Sequence, residues 1–326
     1  MYTKRYRIIP IVAGIILATT LLGRNGFSQS SYPDKPINMI FWTSSGLAET
    51  LRRVVCKVVE KEFNQPIIID YKMGASGVIA LNYVAKSKPD GYTLGGTVTS
   101  TYLISPHMRE LPYNVFTDFT EIITIAKYTF GLAVRADAPW KTYEDVIAYA
   151  KKNPGKFTYS CIGVGVTQHL TMERMAQKEG IQWTLVPFKN SGECITAVLG
   201  GHSDAVVQAS IDLVPQIQAG KLKLLLSLND SRWPDVPDIP HIKEKGYDFQ
   251  AISYISFYGP KGLPEPIRQK LEDTLRKATK DPSYVELLKK FKVDGSDMGG
   301  KEYSALWRSQ YEEMGKIVKS LGLKEK

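Results

Sequence analysis

Four clusters of small polar residues stand at the ends of apolar runs. Thr43, Ser44, Ser45 and Gly46 form the first, and Thr97, Thr99, Ser100 and Thr101 the second. Gly163, Gly165, Thr167 and Gln168 follow, then Gln208 and Ser210. Each cluster precedes an apolar pattern of helical period, so each sets hydroxyls, amides and unpaired backbone N–H groups at a helix N-terminus. The helix dipole adds partial positive charge there, which suits a carboxylate or a phosphate. Any one such loop also has an ordinary explanation, because Ser and Thr commonly cap helices. Gly163-Val164-Gly165 lacks a third spaced glycine and no Gly-Lys-Ser/Thr follows, so a nucleotide site is poorly matched. The inferred ligand is a small anion.

His169 lies near Ser160 and Cys161 in sequence, which raises the question of a hydrolase. A nucleophile needs a base within hydrogen-bond reach and a third group to orient that base. The sequence shows neither relation, so no catalytic residue is assigned and His169 is expected to order its loop or touch the ligand. The chain has four histidines, and His202 and His241 fall in predicted surface loops, so neither a metal nor another cofactor is expected. Cys56, Cys161 and Cys194 lack metal-type spacing, and three thiols allow at most one disulfide.

The elements that must carry these loops alternate strand and helix. Residues 36–42 read as a buried strand. Leu47, Leu51, Val54, Val55, Val58, Val59 and Phe63 then repeat at helical spacing. Strands are predicted over 66–70 and 92–97, with a helix near 78–85 between them. A second series follows Ile122 to Ala126: strands over 130–135, 156–161, 183–186, 204–209 and 222–228, with helices over 143–152 and from near Thr167, Ser191 and Ile211. After a strand near 249–258 the chain is helical over 265–279, 282–291 and 302–321. This is an α/β pattern with mainly parallel sheets flanked by helices. In such sheets ligands bind beyond the carboxyl ends of the strands, which is where the polar loops fall. The terminal helices have little sheet of their own and are expected to pack back on the first unit. The chain then crosses between units twice, near 122–130 and 250–258.

Lys4, Arg5 and Arg7 precede an apolar run from Ile8 to Leu22, followed by a polar stretch with Gly26 and Ser28. That is the layout of a secretory signal peptide over 1–28, and it predicts a periplasmic protein; an uncleaved anchor is the alternative. Removal leaves about 298 residues, enough for two domains. Four basic residues (Lys4, Arg5, Arg7, Arg24) and no acid leave with it, so the net charge falls from +9 to +5. The remaining basic residues are scattered, with no aromatic-interleaved run, which argues against nucleic acid as a partner.

Taken in order, several short motifs resemble one family along the whole mature chain. They are Tyr32-Pro33-Asp34-Lys35-Pro36-Ile37, Pro89-Asp90-Gly91-Tyr92-Thr93-Leu94, Leu111-Pro112-Tyr113, Asn153-Pro154-Gly155-Lys156, Gly163-x-Gly165 with His169-Leu170 and Glu173, Val186-Pro187-Phe188-Lys189, Ala219-Gly220-Lys221-Leu222, and Pro234-Asp235-Val236-Pro237. This series is similar to the solute-binding receptors of tripartite tricarboxylate transporters, the Bug-type receptors. The resemblance implies a two-lobed periplasmic-binding-protein fold of type II-like build. Residues 29–125 plus 254–326 would form one lobe and 126–253 the other. It also implies a monomer that takes up a small carboxylate and delivers it to a membrane permease, with a sensor kinase as the alternative partner.

The resemblance has departures. The family's first loop reads Pro-Phe-x-Pro-Gly-Gly-x-x-Asp, whereas this chain has Phe41, Trp42, Ser44, Ser45 and Glu49 at the changed positions. Val166 stands where the second loop usually has serine. Trp42 could supply an apolar wall and an N–H donor. Glu49 would repel a carboxylate unless it faced an amine or capped its helix. These changes predict a carboxylate grip combined with an apolar or aromatic solute body, in preference to citrate.

Overall fold

The computed structural model describes Tyr2 and residues 32–44, 46–251 and 253–323. Apart from Tyr2, the predicted signal peptide lies outside the described residues, as does Ser45. The first half runs β1 (Ile37–Phe41), α1 (Leu47–Phe63), β2 (Ile67–Tyr71), α2 (Val78–Ala85), β3 (Thr93–Val98), the single-turn helices α3 (Ser100–Leu103) and α4 (Ser105–Met108), and β4 (Phe119–Lys127). The chain then forms β5 (Phe130–Arg135), α5 (Tyr143–Lys152), β6 (Thr158–Cys161), α6 (Thr167–Glu179), β7 (Thr184–Pro187), α7 (Ser191–Leu199), β8 (Ala205–Ala209), α8 (Ser210–Gln218) and β9 (Leu222–Ser227). It returns through β10 (Tyr254–Pro260) to α9 (Glu265–Ala278), α10 (Pro282–Phe291), β11 (Asp294–Gly295) and α11 (Gly300–Ser320).

Local chemistry accounts for these elements. In α1 the apolar residues at three- and four-residue spacing bury Leu51, Val55 and Val59 completely, each worth roughly 1.5 to 3 kcal/mol, and Asn64 ends the helix in the left-handed region. Thr142 and Asp145 form a reciprocal capping box at α5, and Asp281 caps α10 with Pro282 in its first turn. Gly95 and Gly96 interrupt β3 because side chains crowd it. A Cβ on Gly95 would lie 2.3 Å from the Tyr258 ring, and one on Gly96 2.7 Å from Arg52 and Phe41.

Two sheets result, ordered β11-β4-β10-β3-β1-β2 and β7-β6-β8-β5-β9. The expectation of mainly parallel sheets needs correction, because the pairing is mixed. β1 pairs in parallel with β2 and β3, and β6 with β7 and β8, but β10 and β5 are antiparallel to both neighbours. The cause is the double crossing. A strand arriving from the other lobe starts at the interlobe end and must run away from it, whereas β1, β2, β3 and β4, like β6, β7, β8 and β9, run toward it. Hydrophobic periodicity does not carry strand direction.

Asn229 holds the two crossovers together. It is completely buried, its Oδ1 accepts from the Phe130 N–H at 2.6 Å, and its Nδ2 donates to the Tyr128 and Ala251 carbonyls at 3.1 and 3.0 Å. The Tyr128 N–H also donates to Ser253 O at 2.8 Å. The C-terminal helices pack on the first lobe, α9 on α1 and β4 and α11 on β4, as the sequence predicts. The end of α11 reaches further. Met314, Ile317 and Val318 share a buried cluster with Leu103 and Ile104 of the first lobe and Leu170 of α6. Arg174 of α6 pairs with Glu313 and lies 3.9 Å from the Phe249 ring centre. All three cysteines are buried and free. Among the described residues no helix is long and apolar enough to cross a membrane.

Candidate ligand-binding cleft

The strand ends that face the opposite lobe enclose a cavity of about 740 Å³, lined by residues of both lobes. Among the helices longer than one turn, three begin on its wall without a side-chain cap. α1 starts after Gly46, at φ 93°; α6 starts after Val166; α8 starts after Ala209. Gly46, Leu47 and Ala48, then Val166, Thr167 and Gln168, then Ala209, Ile211 and Asp212 line the cavity. Leaving these ends uncapped keeps backbone N–H groups available to an incoming anion. Behind the floor, Arg52 is completely buried. Its guanidinium donates to Thr97 O and lies 5.4 Å from the Phe41 ring centre, so a fixed positive charge sits beside the end of β3.

Of the residues singled out from sequence, Trp42, Thr43, Gly46, Ser100, Thr101, Gly165, Val166, Thr167, Gln168 and Gln208 come together on this wall. Trp42 is half-buried, its Nε1 makes no hydrogen bond, and a Cβ on Gly77 would lie 3.2 Å from its ring. The others occupy different surroundings. Ser44 is exposed and outside the lining. Glu49 turns into the protein, where Arg53 Nε donates to it at 2.8 Å and the Tyr71 hydroxyl also donates; it does not cap α1. Thr99 pins β3 to the returning crossover: its Oγ1 accepts from the Tyr254 N–H at 2.8 Å and from the Tyr303 hydroxyl at 3.2 Å. Ser210 links the crossover to the first lobe through Thr129 Oγ1, at 2.7 Å, and Lys292 O.

The loop from Gly163 to Gly165 is braced from within. Gly163 and Gly165 have φ of 91° and 75°, which a side chain would strain, and the Gly163 N–H donates to Cys161 O at 2.9 Å. His169 Nδ1 accepts from the Gly165 N–H at 3.0 Å, leaving Nε2 as the protonated nitrogen, 3.9 Å from Glu173 Oε1. Burial lowers the imidazole pKa to about 4, so the ring is neutral at pH 7. The Ser160 hydroxyl donates within the backbone around Cys194 and Ala205, and the Cys161 thiol, pushed up to about 12 by burial, donates to Gly163 O. Neither is bonded to His169, so its acceptor nitrogen holds the loop.

Sequence reading missed several wall residues. Asp212 lies two positions beyond Ser210, in the first turn of α8, and counting one turn into the helix would have reached it. Met108 and Arg109 close a one-turn helix too short to show a period. Tyr128 and Ser253 belong to the crossovers themselves. A second cavity, of about 580 Å³, lies between the 232–235 segment and α10. Two of its cations are already paired, Lys292 with Asp235 at 2.8 Å and Arg232 with Glu244, so it offers less to an anion.

The chain and its fold are similar to known proteins. The UPF0065 protein in the gbd 5' region of Cupriavidus necator is 35% identical over 316 residues, covering 95% of this chain and 96% of that one. A TctC solute-binding protein from Polaromonas superposes with a TM-score of 0.81 at 26% identity, over 89% of this chain and 99% of that one. Rpa4515 from R. palustris, solved with adipate, gives 0.73 at 25% identity, over 89% and 98%. The family model described as the tripartite tricarboxylate transporter family receptor matches residues 51–323. With its two lobes and uncapped interlobe helices, the chain belongs to the tripartite tricarboxylate transporter receptor family, whose members bind solutes.

Proposed function

We propose that this receptor is exported by its N-terminal segment, grips a small carboxylate between its lobes and delivers it to a tripartite-type membrane permease. The observation that carries the reading is the convergence of three uncapped helix N-termini, from both lobes, on one cavity wall. Hydrogen bonds to a charged group contribute roughly 1.5 to 3 kcal/mol each. A few of them, less ordering costs, support micromolar binding, about −8 kcal/mol. Trp42, Leu47, Ile104, Met108, Phe130 and Ile162 supply an apolar wall for the rest of the solute. That a relative was solved with adipate agrees with a carboxylate bearing an apolar body. The units that close on the solute are residues 29–125 with 254–326, and 126–253, turning about the crossovers that Asn229 ties together.

Thr167→Pro tests the grip cleanly. Position 167 is the first residue of α6, where proline is tolerated, and Val166 before it already has the extended backbone that proline requires. The substitution removes one N–H without breaking the helix. Thermal-shift and calorimetric titration with mono-, di- and tricarboxylates should find a binder whose affinity falls about tenfold to a hundredfold in Thr167→Pro. Unchanged affinity in a folded variant would show that α6 does not hold the anion.

A further inference from the structure

We propose that Asp212 selects carboxylic acids that also carry a hydrogen-bond-donating substituent, an ammonium ahead of a hydroxyl; this rests on the carboxylate reading above. Asp212 is the one acidic side chain among the described residues lining the cleft. It projects from the same lobe-two wall as Ser191 and Gln208. The Ser191 hydroxyl neighbours both the Asp212 carboxyl and Gln208 Oε1, 3.4 Å away, so one proton serves two acceptors. No ion pair to Asp212 occurs among the described residues. Burial raises its pKa without a compensating cation, as expected for a carboxylate still short of a donor.

Gln208 is 1% exposed, and its Nε2 is buried without a hydrogen-bond partner. On the facing lobe Trp42 Nε1 is likewise unpartnered. The cleft thus sets the backbone N–H groups of its uncapped helix N-termini, which suit carboxylate oxygens, beside one acceptor that makes no ion pair among the described residues. A solute with an amino group satisfies both. An unsubstituted acid leaves Asp212 without its donor, and one with extra carboxylates sets like charge beside it, which disfavours binding.

The test is calorimetric titration of the full mature chain at pH 7.5 with matched acids on three skeletons. These are succinate, malate and aspartate; adipate and 2-aminoadipate; phenylacetate, mandelate and phenylglycine. On the skeleton that binds, the amino member should bind at least tenfold tighter than the unsubstituted acid, with the hydroxy member between. In Asp212→Asn the gap should shrink below threefold, and the unsubstituted acid should bind severalfold tighter as repulsion is relieved. Equal affinities across a skeleton in wild type would overturn the inference and leave the carboxylate reading standing, whether or not the variant folds. A gap that survives in folded Asp212→Asn would overturn the assignment to Asp212. Failure of every acid in the panel would overturn both.

Discussion

The two rims of the cleft are held in place by different physics. Each presents an uncapped helix N-terminus. The first lobe holds its loop by packing, with the Trp42 ring laid on Gly77. The second holds its loop by hydrogen bonding, with His169 accepting from Gly165. Packing is indifferent to protons but intolerant of volume. A histidine acceptor is the reverse, because protonation of its ring removes the lone pair the loop depends on. The contrast predicts that the lobes fail under different stresses.

The largest expected effect is on the packed rim. Gly77 has φ of 96° and lies against the indole, so Gly77→Leu combines left-handed strain with overpacking. It should destabilise the protein by about 3 kcal/mol and weaken solute binding as Trp42 is displaced. Urea titration checks the first effect and calorimetry the second. A fully stable variant would mean that Trp42 is free to move aside, and the packing account of this rim would fail.

The hydrogen-bonded rim should give a smaller effect with a pH signature. His169→Leu leaves the buried Gly165 N–H without an acceptor, at a cost of about 2 kcal/mol at pH 7.5. Because burial holds the ring's pKa near 4, below its ordinary 6.5, stability from the neutral ring is complete above 6.5 and is lost as pH falls toward 4. The difference between wild type and variant should therefore narrow between those values. Glu173 faces the ring, and Glu173→Gln in both backgrounds separates its own titration from that of the histidine. Urea midpoints at pH 7.5, 5.5 and 4.5 would expose a pH-independent difference, which would refute the histidine account. The smallest effect belongs to Ser44→Ala. Its exposed side chain lies outside the lining, so stability should stay within about 0.5 kcal/mol and affinity should not move.

Legibility from sequence followed the range of each signal. Local signals gave α10 with its limits, because Asp281 and Pro282 mark its start and the apolar period its length. Both crossovers were visible as an interruption between two α/β series. Strand direction was not, since β5 and β10 read as apolar runs whichever way they lie in a sheet. The polar loops indicated the cleft, but not which side chains turn into it. Glu49 and Arg52 occupy one helical turn, and both point away from the solute wall into the protein. Asp212, by contrast, emerges on that wall only when α8 begins at Ser210. A shift of one or two residues at a helix start rotates a side chain by 100° or more about the axis, roughly the margin of boundary assignment.

The far end of α11 makes affinity a remotely adjustable trait. Met314, Ile317 and Val318 rest beside Leu170, and Glu313 pairs with Arg174, and no solute takes part in either contact. On the proposed reading these contacts give the arrangement with the lobes together a standing population of its own, and apparent affinity scales with that population. Substitutions at Met314 or Glu313 that cost the arrangement about 1.4 kcal/mol would weaken capture by up to tenfold while every atom touching the solute stays the same. Related receptors could therefore drift in sensitivity through their last helix while keeping their taste in acids.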